Sequence, residues 1–86
     1  MDGKVLAIDP IFESYNSSKI VGMRATIDEP PFKKIIGWNA EKNKYWGSIV
    51  TKKNTRIPIE ESVVLSLVKK YDLTTKMREA FDDVRE

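Results

Sequence analysis

Alternating apolar and polar residues predict a β-sheet in the first two thirds of the chain. The clearest segment is 19–28, in which Val21, Met23, Ala25 and Ile27 alternate with small or polar residues. Successive side chains of a strand point to opposite faces, so these four apolar side chains share one face. We therefore expect a strand whose one side is buried and whose other side faces solvent.

The same pattern, with turn residues between the apolar runs, indicates further strands. Asp9-Pro10 interrupts the first apolar run, because proline donates no ladder hydrogen bond, so that run is one broken strand or two short ones. Pro30-Pro31 separates the second strand from the third, and the polar residues 39–43 form a hairpin loop. The predicted strands cover residues 4–15, 19–28, 32–39, 44–52 and, as a short strand or an extended lead into a helix, 57–59.

The last third of the chain changes to helical spacing. Residues 60–71 place Val64, Leu67 and Val68 on one side of a helix, with glutamates in the first turn and lysines in the last. Thr74 or Thr75 is the expected N-cap of a second helix that ends near residue 84. Its apolar stripe either docks on the sheet or pairs with a second copy or a partner.

Strands followed by helices predict an α+β fold. We expect an antiparallel sheet of four to five strands followed by two short C-terminal helices packed on the sheet. The 86 residues are enough for one domain, with strands mainly in 1–59 and helices in 60–86.

Composition excludes much of the usual chemistry. The chain has no cysteine and no histidine, which removes disulfides, thiolate metal sites, cysteine nucleophiles and the commonest general base. The acidic pairs Asp28-Glu29, Glu60-Glu61 and Asp82-Asp83 do not converge, because adjacent side chains point apart. We expect a protein that is not an enzyme and that has no catalytic residue, metal site or cofactor.

Two absences bear on location. No apolar run approaches the roughly 18 residues of a membrane span, and the acidic start of the chain lacks the form of a signal peptide. A small secreted domain would often need disulfides, so we expect a cytoplasmic protein without a membrane partner.

Charge is concentrated in the middle of the chain. Residues 19–56 contain nine basic and three acidic residues, whereas the segments on either side are both net negative. This middle block includes both tryptophans, in the predicted hairpin of residues 32–51. An anionic partner would be attracted there.

The combination of rings and cations in this block suggests nucleic-acid binding. Lysines and arginines neutralise phosphates, and unpaired bases stack on aromatic rings at about 1–3 kcal/mol per base. Strand parity places Trp38 with Phe32 and Ile36, as in a core, and puts Tyr45 and Trp46 on opposite faces, so that only one of the latter two can stack. The candidate residues are Arg24, Lys33, Lys34, Trp38, Lys42, Lys44, Tyr45, Trp46, Lys52, Lys53 and Arg56.

Two functional hypotheses follow. The first is a small, non-catalytic protein that binds nucleic acid, DNA or RNA, with a preference for single strands. The alternative is a protein-interaction module, regulatory or inhibitory, that uses an exposed aromatic patch. A homodimer is compatible with both, since a small core gains from association. The simpler interpretation is that the rings pack under the helices and the lysines keep the hairpin soluble.

Overall fold

The structure is a computed structural model that describes residues 3–85, and within them a five-stranded antiparallel sheet is followed by two helices. Each strand pairs with the next one in the chain, so the spatial order is the sequence order. The predicted α+β fold is therefore confirmed. The strands are β1 (Lys4–Phe12), β2 (Ile20–Glu29), β3 (Phe32–Asn39), β4 (Lys44–Val50) and β5 (Arg56–Pro58), and the helices are α1 (Glu61–Lys70) and α2 (Leu73–Arg85).

The core lies between the helices and one face of the sheet. The alternation seen in the sequence of β2 is largely the alternation of burial, since Met23, Ala25 and Ile27 are buried and, apart from Gly22, their neighbours are less so. Each fully buried large apolar side chain contributes about 1.5–3 kcal/mol. The buried cluster consists of Met23, Ala25, Ile27, Ile36, Trp38, Val64, Leu67, Val68, Leu73 and Met77.

Gly47 sets the distance between α1 and the sheet. A Cβ atom at this position would lie 2.8 Å from Ile36 Cδ1 and 3.0 Å from Val64 Cγ2. Those separations are shorter than normal carbon contacts, so a side chain here would force Ile36 or Val64 to shift. The glycine in β4 thus allows Val64 of α1 to pack closely on the face that holds the core.

β1 is an edge strand, and it tolerates a proline within its length. It pairs only with β2, and Pro10 lies opposite Met23 without interrupting the strand. Register shifts occur between Val5 and Ala7 and between Ile11 and Phe12. The predicted break at Asp9-Pro10 therefore appears as one continuous strand with irregular pairing at both ends, as expected of proline at an edge.

Three boundaries differ clearly from the prediction. β1 ends at Phe12 and not at residue 15. β4 ends at Val50, because the Thr51 amide donates to the Thr55 carbonyl at 2.9 Å and begins a turn. α2 begins at Leu73, ahead of the predicted caps Thr74 and Thr75. Asp72 adopts a positive φ of 52° between the two helices, and its carbonyl accepts the Lys76 amide at 3.3 Å.

Candidate nucleic-acid interface

The face of the sheet opposite the core carries no helix among the described residues, and we call it the open face. Its side chains follow from the pairing register, in which alternate residues of each strand point to the same side. They are Lys4, Ala7, Asp9, Ile11, Gly22, Arg24, Thr26, Asp28, Lys33, Ile35, Gly37, Asn39, Lys44, Trp46, Ser48, Val50, Arg56 and Pro58.

One row across the open face aligns a ring and an arginine on either side of a glycine. Arg24 pairs with Gly37, and Gly37 pairs with Trp46, so these three residues lie side by side on β2, β3 and β4. A Cβ atom at Gly37 would overlap the Trp46 ring and would lie 2.7 Å from its Cδ2 atom. The indole therefore extends over the Gly37 backbone, in the direction of Arg24. Trp46 remains 43% exposed, which leaves aromatic surface available to a ligand.

Trp38, in contrast to Trp46, is buried on the helix side of the sheet and cannot stack on a base. It is only 4% exposed, and its ring meets the Phe81 ring edge-on with centroids 5.5 Å apart. The guanidinium of Arg78 lies 5.5 Å from its centroid, and its Nε1 donates to Asn43 Oδ1 at 3.1 Å. The prediction that parity places Trp38 in the core is confirmed, and its inclusion among the candidate binding residues has to be corrected.

Tyr45 and Lys34 also lie on the helix side of the sheet. Tyr45 pairs with Trp38, is half-buried, and has its hydroxyl 3.2 Å from Thr74 Oγ1. Lys34 pairs with Ile27 and is bound to the carboxylate of Glu29. Neither side chain points to the open face, so both are removed from the candidate site for reasons of strand parity.

Glu29 joins the strands to α1 and accounts for the position of Lys34. Its side chain is 15% exposed, and it accepts hydrogen bonds from Lys34, from the Tyr71 hydroxyl at 2.6 Å and from Lys70 Nζ at 3.0 Å. The hydrogen bonds from Lys34 and Tyr71 lower the pKa of this carboxyl from its ordinary value of 4.5 to about 2. The group is an ionised structural link, and it gives Lys34 an ion-pair partner on the helix side of the sheet.

Seven predicted cations remain, and they differ from Lys34 in making no ion pair in the part of the chain that the structure describes, although Asp9 lies opposite Arg24 and Asp28 opposite Lys33 in the strand register. Within the described residues none of the seven makes an ion pair or a side-chain hydrogen bond through its charged group. Unpaired cations are free to bind an anion without first breaking an internal contact. Four of them are on the open face, namely Arg24, Lys33, Lys44 and Arg56, and three are in the adjoining turns, namely Lys42, Lys52 and Lys53.

Gly37 is the residue of this site that the sequence predictions did not include. An isolated glycine within a strand indicates a close approach of another group, and that signal was present in the third strand. It becomes informative only when the hairpin register places Trp46 directly opposite. Covering a strand glycine with a cross-strand aromatic ring is also a known stabilising device, so the pair has structural value as well.

Two other findings bear on chemistry and on the membrane. Among residues 3–85, no three or more acidic side chains converge in a group that could hold a metal ion. In the same part of the chain, neither helix has the length and hydropathy needed to cross a bilayer.

Comparison with known proteins identified no relative of this chain. No family model, no curated protein and no solved structure matches the chain.

Proposed function

We propose that the protein binds single-stranded nucleic acid, without catalysis, through the open face of its sheet. The observation that supports this most directly is the exposed indole of Trp46, which lies over Gly37 beside Arg24. A flat ring next to cations that lack internal partners is the combination that unpaired bases and their phosphates require.

The residues divide into two roles in this proposal. Trp46 stacks on a base, and Arg24, its neighbour across Gly37, contacts the same nucleotide. The phosphates are neutralised by Lys33, Lys44 and Arg56 on the sheet and by Lys42, Lys52 and Lys53 in the turns. Trp38, Tyr45 and Lys34 support the fold from the other side.

Single strands suit this face better than duplexes for a steric reason. The indole of Trp46 lies on the sheet surface, over a backbone with no side chain beneath it. A base must be unstacked to reach such a ring, and bases in a duplex are stacked on one another. The duplex would present only its phosphates to the same surface.

Fluorescence titration tests the proposal because the two tryptophans differ in exposure. Adding a single-stranded DNA or RNA oligonucleotide should quench the emission of Trp46, and the affinity should fall steeply as salt is added. In the variant Trp46→Phe, the remaining emission comes from buried Trp38 and should not respond. The proposal fails if the wild-type protein shows neither quenching nor salt-sensitive binding at low ionic strength.

The alternative function, a protein-interaction module, has its own supporting feature. An apolar groove of about 520 Å³ lies between α2 and the start of β2 and is lined by residues that include Ile20, Val21, Phe81 and Val84. Exposed apolar surface of this kind occurs at protein interfaces. A binding partner retained after nuclease treatment, and lost on Val84→Asp but not on Trp46→Phe, would favour this function.

A further inference from the structure

Positive charge on the open face is not uniform from strand to strand. On β1 and β2, Lys4 and Arg24 are offset by Asp9 and Asp28. The other three strands, with the two turns between them, contain one acidic residue, Glu41, and six cations besides Lys34, which is bound to Glu29 on the helix side. Those six are Lys33, Lys42, Lys44, Lys52, Lys53 and Arg56.

β4 is the axis of the positive half. It lies between β3 and β5, and Trp46 is near its midpoint. Lys42 precedes the strand, Lys44 is its first residue, and Lys52 and Lys53 follow its end. The Trp46 ring therefore has cations on both sides of it along β4. Towards β1, by contrast, the basic and acidic side chains of the open face are equal in number.

Hydrogen bonds fix the backbone of both turns that carry these lysines. In the turn after β4, Thr51 accepts the Asn54 amide through its carbonyl at 2.9 Å and the Thr55 amide through its hydroxyl at 3.1 Å. In the turn before β4, Asn39 Oδ1 accepts the Lys42 amide at 2.8 Å. The cations thus have defined starting positions, which lowers the entropy lost when a ligand binds.

A shallow cavity marks one end of this path. It measures about 400 Å³ and lies where the β2–β3 turn approaches the β4–β5 turn. Lys33, Lys52 and Asn54 are among its lining residues and offer donors to a phosphate or a sugar. Asp28 also lines it, at the margin that faces β2.

From this arrangement we infer that the nucleic-acid strand lies along β4, parallel to it, and covers about four or five nucleotides. The inference rests on the proposed function and adds to it the path and the length of the ligand. One base stacks on Trp46 in the middle. The phosphates on one side meet Lys42 and Lys44, and those on the other side meet Lys52, Lys53 and Arg56.

The length follows from the dimensions of the strand. The seven residues of β4 span about 20 Å at roughly 3.4 Å per residue, and the reach of the flanking lysines extends this to about 30 Å. Phosphates of an extended single strand are spaced at about twice the 3.4 Å of a stacked duplex strand. The positive path therefore matches about four or five nucleotides, close to the small end of the 4–16 nucleotide range of single-strand-binding folds.

A length series of oligothymidylates tests this inference on the full chain. Affinity, measured by quenching at about 50 mM salt, should rise steeply up to four or five nucleotides and then level off. The paired variants K42Q/K44Q and K52Q/K53Q should each weaken the pentanucleotide about tenfold and the dinucleotide much less, because a dinucleotide on Trp46 reaches neither end fully.

Single-charge controls separate the two directions across the sheet. K44Q, on β4, should weaken the pentanucleotide about threefold, whereas K4Q, on the same face but on β1, should leave it unchanged. Circular dichroism checks that both variants keep the fold. If K4Q is as damaging as K44Q, or if affinity keeps rising well beyond five nucleotides, the strand crosses the sheet and the inference is overturned, while the proposed function stands.

Two further results would remove the proposed function itself. One is the absence of binding at every oligonucleotide length. The other is equal quenching by an oligoglutamate peptide of matched charge, with no preference for the oligonucleotide. That result would assign the open face to an acidic protein segment instead, and the inferred path along β4 would no longer describe a nucleic-acid ligand.

Discussion

Gly37 and Trp46 form a cross-strand pair in which the indole occupies the space that a side chain at position 37 would need. The absence of one side chain thus determines the orientation of another. Gly37 also lies between Trp46 and Arg24 in the same row of the sheet, with Arg24 on the next strand.

The variant Gly37→Val should lift the ring from the sheet. Valine suits a strand, so the fold should persist, but the displaced indole can no longer rest on the backbone beneath it. Since a stacked base contributes about 1–3 kcal/mol, we expect oligonucleotide affinity to fall about tenfold. Quenching titrations of G37V against wild type measure this.

The double variant G37V/W46F is the control for that experiment. If valine acts only by displacing the ring, adding it to W46F should change affinity little, since the ring is already missing. A large additional loss in the double variant, or wild-type affinity in G37V, would show that the pair does not act as described.

The two tryptophans should respond in opposite ways to substitution. Trp38→Ala removes a buried ring and should cost about 3–5 kcal/mol of unfolding free energy, whereas Trp46→Ala should cost about 1 kcal/mol or less. Binding should show the reverse order, as measured with labelled oligonucleotides. Urea denaturation supplies the stabilities, and the milder Trp38→Phe is used if the alanine variant fails to fold. Similar stability losses for the two alanine variants would contradict their different burial.

The basic turn after β4 should contribute directly to the salt dependence. Replacing Lys52 and Lys53 together by glutamine removes up to two phosphate contacts, and each contact adds about 0.7 to the slope of log affinity against log salt. We therefore expect the slope to become shallower by about 1.4 in K52Q/K53Q. Binding isotherms at four or five salt concentrations give the slope.

K69Q/K76Q is the matched control for that variant. It removes the same charge from the helices, where Lys69 and Lys76 are exposed. Its salt slope should equal that of the wild type. Equal changes in the two double variants would mean that net charge, and not the position of the cations, governs binding.

Acid should weaken the fold through Glu29. Its pKa is lowered to about 2 in the folded protein, so its contribution is complete above its ordinary pKa of 4.5 and is lost as the pH falls from there towards 2. We expect Glu29→Gln to reduce stability by about 1–3 kcal/mol near neutral pH and to flatten the pH dependence in this window. Denaturation at a series of pH values tests both effects.

Glu79→Gln is the comparison for Glu29→Gln. Glu79 is exposed on α2 and makes no ion pair with the described residues. Its replacement should alter neither the stability near neutral pH nor the loss of stability as the pH falls from 4.5 towards 2. If the two variants behave alike, the link between Glu29, Lys34 and Tyr71 contributes little to stability.

Local pattern predicted most of the fold because one face of the sheet holds the core. In β2 a period of two maps onto burial, as Met23, Ala25 and Ile27 show, whereas β3 is buried continuously from Ile35 to Trp38. The end of β4 and the start of α2 were predicted less accurately. These boundaries depend on turn hydrogen bonds of Thr51 and on the positive φ of Asp72. Residue types alone indicate such conformations only weakly.

The candidate site was predicted less completely, for reasons that involve partners distant in the chain. Lys34 looked like one more surface cation until the fold placed it with Glu29 and Tyr71, a residue from α1's end. The Gly37–Trp46 pair required the register of the hairpin, which residue type alone does not give. Charge and aromatic content indicated which part of the chain holds the candidate interface. The strand register then determined which of its side chains lie on the open face.

The succession of strands in spatial order has a consequence for kinetics. Since every strand pairs with its neighbours in the chain, the sheet forms by closing short loops, and proteins rich in such local contacts fold quickly. We expect substitutions in the β3–β4 turn, such as Asn43→Ala, to slow folding, and core substitutions in α2, such as Met77→Ala, mainly to speed unfolding. Stopped-flow chevron plots distinguish the two limbs. The open face would then acquire its structure early, from hairpins, before the last third of the chain closes the core on the other side of the sheet.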